Sequence, residues 1–219
     1  KSFSIIDSDK RYNESENINL LLNKNKAQNI KINIKNKNKN FFNMVNYITK
    51  YQDAPISTIS YYVHSLLCKE INKNNYRIAI SGTGADELFT GYYDHFLLQL
   101  ATINKTHMYK KKLNDWKSFI KPIIRNKFLK KYDYYIKDPN SRNLVYETDF
   151  NLNKFIKKKN LKIPIDKNYT TELLRNRMMN ELFHEVVPTI LKDDDHNSMN
   201  YSIENRSPYL DKDLLGFAL

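Results

Sequence analysis

The stretch that decides the fold is Tyr76-Arg-Ile-Ala-Ile-Ser-Gly-Thr-Gly-Ala-Asp-Glu-Leu-Phe89, in which an apolar run leads into a loop with two glycines. The chain has 219 residues but only four glycines, and Gly82, Gly84 and Gly91 lie within ten residues of one another. Glycine lets a backbone approach a ligand closely and leaves N–H groups free to hold anionic oxygens. Open α/β sheets bind ligands at loops that follow a strand and precede a helix. The stretch therefore predicts a strand, a ligand-binding loop and a helix.

The segments upstream alternate between strand and helix patterns, which predicts a parallel sheet with flanking helices. The predicted strands cover residues 3–6, 30–34 and 76–80, and the predicted helices cover residues 14–29, 40–51 and 57–74. From about residue 88 onward the pattern is helical, with breaks predicted at Pro122, Pro139, Pro164, Pro188 and Pro208. We therefore expect an α/β part over residues 1–100 and a mostly helical part over residues 101–219.

The composition is that of an ordinary globular protein, with 41% hydrophobic and 27% charged residues. No apolar run approaches the roughly 18 residues that a membrane span requires, which excludes a transmembrane protein. The single cysteine, Cys68, cannot form an internal disulfide, and its apolar neighbours are typical of a small buried hydrophobe. This cysteine usage predicts a reducing compartment.

The net charge of +12 raises the question of nucleic acid or an anionic surface as a partner. The lysines are spread along the chain, many of them in Lys-Asn strings such as Lys31-Ile-Asn-Ile-Lys-Asn-Lys-Asn-Lys-Asn40, and no recognisable nucleic-acid motif accompanies them. A solvated face explains this pattern better than a binding surface. We therefore expect neither nucleic acid nor a membrane as a partner.

Asp86 and Glu87 lie at the predicted junction of the glycine loop and the helix, and two interpretations are open. Carboxylates in the first turn of a helix stabilise its dipole. Beside nucleotide phosphates they would repel the ligand unless Mg²⁺ lay between, and Mg²⁺ commonly takes one or two carboxylates plus substrate phosphates. The spacing alone favours neither interpretation.

A second polar segment runs from Asp193 to Asp211 and contains three consecutive aspartates, His196 and Arg206. The structural interpretation, which the residue types favour, is a capped helix start and a buried, forked ion pair of Arg206 with Glu204 or Asp211. The other interpretation is that the segment faces the glycine loop and completes a site for an anionic intermediate. A metal cluster is disfavoured because His196 has no second His or Cys at ligand spacing.

Two long motifs carry a family resemblance. Ser81-Gly-Thr-Gly-Ala-Asp-Glu-Leu-Phe-Thr-Gly-Tyr92 and Asn197-Ser-Met-Asn-Tyr-Ser-Ile-Glu-Asn-Arg-Ser-Pro-Tyr-Leu-Asp211, in that order, resemble the downstream signatures of the synthetase domain of the asparagine synthetase family. Phe3-Ser-Ile5, Asp53-Ala-Pro55 and the segment 174–188 also fit. The resemblance therefore covers nearly the whole chain.

The resemblance implies an ATP-pyrophosphatase type α/β fold, adenine nucleotide alpha hydrolase-like, with residues 1–100 as the nucleotide-binding part of a synthetase domain and residues 101–219 as its helical part. It implies a glutamine-hydrolysing asparagine synthase-like ligase. In this reaction ATP adenylates the side-chain carboxylate of aspartate, pyrophosphate leaves, and ammonia attacks to give asparagine and AMP. Ammonia would come from glutamine through an amino-terminal glutaminase domain, in a cytoplasmic homodimer.

The same resemblance assigns the site residues. The nucleotide would be held by Ile5, against the adenosine, and by Ser81, Gly82 and Gly84. Asp86 would bind the Mg²⁺–pyrophosphate unit, with Glu87 beside it. Thr83 and His196 occupy the remaining catalytic positions.

These last two positions depart from the family pattern. At Thr83 most members carry an acidic residue that faces the reacting centre, and at His196 they usually carry Arg or Lys. A hydroxyl does not act as a general base near neutral pH. Two alternatives therefore stay open: a family relative that amidates another carboxylate, such as a sugar acid, a peptide or a lactam precursor, and a non-catalytic relative.

The family's pyrophosphate-binding loop, Ser-Gly-Gly-x-Asp-Ser, belongs on a strand just before residue 1. The sequence opens at Lys1 directly into an apolar run and stops inside another one. We therefore treat it as a fragment, truncated at both ends and lacking the glutaminase domain. The isolated 219 residues are expected not to turn over ATP.

Overall fold

A computed structural model describes residues 1–9, 13–34, 40–56, 58–139 and 166–218. Helices dominate these residues, and the strands among them are short and pair in parallel. The predicted α/β class with a mostly helical remainder is therefore confirmed. Within the described ranges, no helix is both long enough and apolar enough to pass through a membrane.

The strands are β1 (Ser2–Ile6), β2 (Asn29–Asn33), β3 (Ile78–Ile80) and β4 (Glu204–Arg206). The helices are α1 (Ser15–Asn25), α2 (Phe41–Gln52), α3 (Ile59–Lys73), α4 (Ala85–Phe89), α5 (Tyr93–Thr102), α6 (Tyr109–Asp115), α7 (Tyr132–Lys137), α8 (Leu173–Asn180), α9 (Val186–Asn200) and α10 (Lys212–Ala218). Two π-helical turns cover Trp116–Ile120 and Glu181–Glu185, and 3₁₀ turns cover Phe128–Lys130 and Pro208–Leu210.

The chain divides into two compact units. The first unit contains Lys1–Thr83 and Thr189–Pro208, and the second contains Gly84–Pro188 and Tyr209–Leu219. Every strand of the described residues belongs to the first unit. The functional division near residue 100 that the sequence predicts remains a prediction.

The strands do not form the single sheet that the sequence predicts. β1 pairs with β2 in parallel, with Phe3 opposite Ile30, and β3 pairs with β4 in parallel, with Ile80 opposite Arg206. Residues of β1 and of β3 both line a cavity of about 690 Å³. Two paired strands lie about 4.8 Å apart, which is too close to enclose such a cavity between them. Within the described residues the result is two two-stranded sheets, and the adenine nucleotide alpha hydrolase-like order of strands remains an expectation.

The core of the first unit forms where α2 meets α3. Ile48 of α2 packs with Tyr61, Tyr62 and Leu66 of α3, and all four side chains are buried. Helix α2 ends at Gln52 because Asp53 adopts a left-handed backbone, with φ of 53°. This turn belongs to the Asp53-Ala-Pro55 motif and sets the start of α3.

The core of the second unit forms around α5. Helix α5 contributes Leu97, Leu98 and Leu100, which pack with Trp116, Ile124 and Tyr135 from the segments that follow it. The predicted helix breaks at Pro122 and Pro139 are confirmed, because Pro122 lies in a turn and Pro139 follows the end of α7. Pro208 opens a 3₁₀ turn, and Pro164 lies outside the described residues.

The predicted break at Pro188 is wrong. Pro188 lies inside α9, which continues without interruption from α8 through the π-helical turn Glu181–Glu185. Proline removes one main-chain hydrogen bond and crowds the carbonyl four residues earlier. The π-helical turn Glu181–Glu185, with i→i+5 hydrogen bonds, already departs from the α-helical pattern at the residues that Pro188 would disturb.

Candidate active site

The glycine loop begins directly at the carboxyl end of β3. The Ser81 N–H donates a hydrogen bond to the carbonyl of Arg206 at 2.9 Å, which extends the pairing of β3 with β4 by one residue. Helix α4 then starts at Ala85 with Asp86 and Glu87 in its first turn. The strand, loop and helix predicted for residues 76–89 are therefore confirmed, and the predicted position of the two carboxylates is confirmed with them.

Three hydroxyl groups meet at the start of this loop. The Ser81 hydroxyl lies 3.1 Å from the Thr83 hydroxyl and 3.1 Å from the Ser207 hydroxyl. The Asn205 side-chain amide donates to the Ser81 hydroxyl at 3.5 Å. Ser207 and Asn205 belong to the second polar segment, so that segment does reach the glycine loop.

Asp194, on α9, is the carboxylate of this cluster. It accepts hydrogen bonds from the Thr83 hydroxyl at 3.2 Å and from the Asn205 amide at 3.4 Å, both at Oδ2. Its other oxygen, Oδ1, lies 3.3 Å from Nδ1 of His64 on α3. The Asp194 side chain is 13% exposed and the His64 side chain 49% exposed. The sequence analysis included Asp194 only as one of three consecutive aspartates, and it missed His64.

The cluster forms part of the wall of the 690 Å³ cavity in the first unit. Helix α3 contributes His64, Leu67, Cys68 and Ile71, whose spacing places them on one helix face. Helix α9 contributes Asp194 and Ser198, which are one turn apart. The spacing of the four α3 residues in the sequence could have placed His64 on one face of that helix. The spacing alone does not show which residues that face contacts.

Helix α9 is held against α3 by Asn197. This side chain is 1% exposed, and its amide donates to the backbone carbonyl of Tyr61 at 3.1 Å. The anchor fixes the rotation of α9 about its own axis. It therefore determines that Asp194, rather than its two aspartate neighbours, faces the cavity.

Cys68 also lines the cavity, and its thiol is neutral there. Burial, together with the negative charge of Asp194, raises the pKa of Cys68 to about 12. A thiol is a nucleophile only as a thiolate. Cys68 therefore lines the cavity without being a nucleophile, which agrees with the interpretation from the sequence. Its side chain is only partly buried.

The loop glycines are present for different reasons. Gly84 has φ of 94°, and a side chain there would also collide with Leu210. Gly82 lacks a positive φ, and a Cβ at Gly82 would meet no atom within 4 Å. The packing of the described residues thus gives no reason for glycine at Gly82, and the open space beside it borders the cavity.

Asp86 and Glu87, in the second unit, differ in accessibility. Glu87 is 3% exposed and accepts a 2.6 Å hydrogen bond from the Tyr92 hydroxyl. Burial, followed by the contact with Glu87, raises the pKa of Tyr92. Asp86 is exposed, and a side chain at Gly91 would collide with its carboxylate. The hard oxygen donors of Asp86 suit Mg²⁺, whereas Glu87 is engaged by its own helix segment.

A buried network supports this segment. The Gly91 N–H donates to Nδ1 of His95 at 3.3 Å, so His95 carries its proton on Nε2, which lies 2.7 Å from Glu181. Arg177 donates to the other Glu181 oxygen at 2.8 Å and to Glu185 at 2.9 Å.

Arg177 is the cation of this network and contacts three carboxylates, those of Glu181, Glu185 and Asp166. His95 and Glu181 are each 2% exposed. Burial would lower the pKa of Arg177, but the hydrogen bonds and charges of Glu185 and Glu181 outweigh it and raise the pKa. Asp94 brings a third potential metal ligand within 4.8 Å of His95 and Glu181. Glu181 is instead engaged by a hydrogen bond from His95 and an ion pair with Arg177.

The expectation of a buried, forked ion pair at Arg206 is wrong. Arg206 is 57% exposed and Glu204 is 61% exposed, and they form one contact of 2.8 Å. Glu204 and Arg206 are two residues apart along β4 and therefore project from the same face of this short strand. Arg177, which the sequence analysis did not single out, holds the buried position instead.

Two resemblance-based site residues lie away from the cavity wall. His196 is half-buried and follows Asp194 by two residues on α9, which places it about 200° around the helix. Ile5 is half-buried in β1 opposite Ile32, whereas the cavity is lined by residues 1–3 of that edge. Their roles in nucleotide and intermediate binding remain predictions.

The comparison with known proteins gives one match. A family model described as asparagine synthase matches residues 1–219. Neither a curated protein nor a solved structure matches the chain significantly. The match agrees with the family resemblance of the sequence motifs and covers the full length given.

Proposed function

Because the chain belongs to the asparagine synthase family over residues 1–219, we propose that it adenylates the side-chain carboxylate of aspartate with ATP and transfers the activated acyl group to ammonia. Family membership supports ATP-dependent amidation by a ligase in general. The aspartate substrate, the glutamine-derived ammonia and the residue roles are our proposal.

One observation carries the proposal. The carboxyl end of β3 presents Ser81, Gly82 and Thr83 on the wall of a cavity of about 690 Å³, and Asp194 faces the same wall. This is where α/β proteins bind nucleotides, and the volume lies within the range typical of small-molecule sites. Packing does not require glycine at position 82, and the absence of a side chain there lets a ligand approach the backbone closely.

The nucleotide is held by Ser81, Gly82 and Gly84, with Ile5 against the adenosine. Asp86 would hold Mg²⁺, and Glu87 keeps the first turn of α4 in place through Tyr92. Bound Mg²⁺ offsets negative charge on the departing pyrophosphate. His196 is proposed to act electrostatically near the intermediate.

The chemistry follows from the poor reactivity of a carboxylate toward amines. A carboxylate oxygen of aspartate attacks the α-phosphorus of ATP, and pyrophosphate leaves with the electrons of the broken P–O bond. The nitrogen of ammonia then attacks the carbonyl carbon, and AMP leaves. The Ser81 hydroxyl can donate a hydrogen bond, which orients an anionic group without introducing a charge, whereas the Thr83 proton is already donated to Asp194.

The direct test uses the complete natural protein with ATP, Mg²⁺, ammonia and a panel of carboxylates: aspartate, glutamate, glucuronate and a peptide. We expect pyrophosphate and amide in equal amounts with aspartate, and asparagine as the product. Glutamine should replace ammonia as the nitrogen source. Pyrophosphate formation with another member of the panel would move the acceptor to that carboxylate, and a folded protein that forms none would be the non-catalytic relative.

A further inference from the structure

The pairing of His64 with Asp194 has no role in the assignments above. His64 lies on α3, lines the cavity and keeps about half of its side chain exposed. Asp194 lies on α9 and faces the same cavity. A histidine oriented by a carboxylate is a common arrangement for proton transfer.

The hydrogen bonds define which ring nitrogen of His64 is available. Asp194 accepts from the Thr83 hydroxyl and the Asn205 amide at one oxygen, and His64 Nδ1 lies 3.3 Å from the other. An ionised carboxylate can only accept hydrogen bonds. In this pair Nδ1 therefore carries the proton, and Nε2 carries the lone pair that can take up another.

The polar side chains nearest to His64 and the glycine loop are poor bases. The Ser81 and Thr83 hydroxyls are very weak bases near neutral pH. The Cys68 thiol stays neutral because burial and Asp194 raise its pKa to about 12. Asp194 already accepts three hydrogen bonds. Among the described residues of the cavity wall, His64 alone offers an imidazole.

We propose that His64, oriented by Asp194, is the base that accepts a proton from the attacking nitrogen in the amide-forming step, a role that rests on the proposed function. The nitrogen lone pair forms the C–N bond, and one N–H proton passes to Nε2 of His64. The C–O bond to the phosphate then breaks, and AMP leaves with its electrons. His64 returns the proton to solvent through its exposed side, and Asp194 acts as a positioning residue.

The proposal separates the two halves of the reaction. Adenylation of the carboxylate needs no base, whereas attack by ammonia does. In the complete natural protein, His64→Ala should therefore retain the single-turnover burst of pyrophosphate while amide formation falls by about a hundredfold or more, the usual contribution of a general base. Added imidazole should restore part of the amide rate. His107→Ala, in an exposed turn of the second unit, is the matched control and should change neither rate.

Further variants distinguish a base from a structural side chain. His64→Gln can keep a hydrogen bond to Asp194 and should preserve the unfolding midpoint, yet it should lose amide formation as His64→Ala does. Asp194→Asn should slow amide formation without rescue by imidazole, because His64 still occupies its place. Amide formation by both His64 variants within about threefold of wild type would overturn the proposal. If wild type releases no pyrophosphate with any carboxylate, the proposed function fails, a result distinct from loss of the second half-reaction alone.

Discussion

Arg177 should be essential for the stability of the second unit. Its side chain is 7% exposed and it donates to Glu181, which is 2% exposed. Arg177→Ala would leave the buried Glu181 carboxylate with a hydrogen bond from Nε2 of His95 but without a cation beside it. Removing one member of such a buried pair costs about 3 to 5 kcal/mol. For a chain of this length that corresponds to a fall of roughly 6 to 20 °C in the unfolding midpoint.

The assay is thermal unfolding followed by circular dichroism, with Arg206→Ala as the matched control. Arg206 also forms an ion pair, but both partners are more than half exposed, and exposed pairs contribute little. The control should therefore keep the wild-type midpoint. Arg177→Met combined with Glu181→Leu should be less destabilised than Arg177→Ala, because no unpaired charge is left behind at Glu181. Equal midpoints for Arg177→Ala and Arg206→Ala would refute the reasoning from burial.

Three further predictions concern the loop and the cavity. Asp86→Asn should abolish amide synthesis and preserve the unfolding midpoint, since the amide keeps the shape but loses the charge, and activity within about twofold of wild type would remove Asp86 from the site. Gly91→Ala should displace the Asp86 carboxylate and raise the Mg²⁺ concentration needed for half-maximal activity. Gly216→Ala is the control and should leave that concentration unchanged, because a Cβ at Gly216 meets no atom within 4 Å. Equal Mg²⁺ requirements of the two variants would contradict the packing argument. With its pKa raised from 9.0 to about 12, the Cys68 thiol should react with iodoacetamide at pH 8 about a thousandfold more slowly in the folded protein than in urea, and folded and unfolded rates within about tenfold of each other would contradict a neutral thiol.

Local features could be predicted from the sequence. The apolar run and the glycines of residues 76–89 specify a strand, a loop and a helix start through nearby residues alone, and the structure contains all three. The end of α2 at Gln52 follows from the turn at Asp53, which is equally local. The breaks at Pro122 and Pro139 follow from the chemistry of proline itself.

Features that depend on distant residues could not be predicted. Strand pairing joins residues far apart in the sequence, and the pattern of β1 and β3 does not reveal that each pairs in a separate sheet. The break predicted at Pro188 failed because a π-helical turn precedes it, and no residue pattern signals that turn.

The candidate site shows the same limit. Three consecutive aspartates were visible in the sequence, but the rotation of α9, fixed by Asn197 against Tyr61, decides that Asp194 faces the cavity. Burial decides that Arg177 rather than Arg206 holds the internal ion pair. The motifs identified the segments that meet at the loop, and the three-dimensional packing identified which side chains in them make contact.

The central claim is that the protein activates a carboxylate as an acyl-adenylate, and isotope transfer tests it most directly. The complete natural protein is supplied with ATP, Mg²⁺, ammonia and aspartate whose side-chain carboxylate carries oxygen-18, and the AMP and phosphate products are analysed by mass spectrometry. The account predicts one oxygen-18 atom in AMP for each asparagine formed, because the attacking carboxylate oxygen leaves with the phosphorus. Asparagine formation with the label in orthophosphate, or with unlabelled AMP, would contradict it.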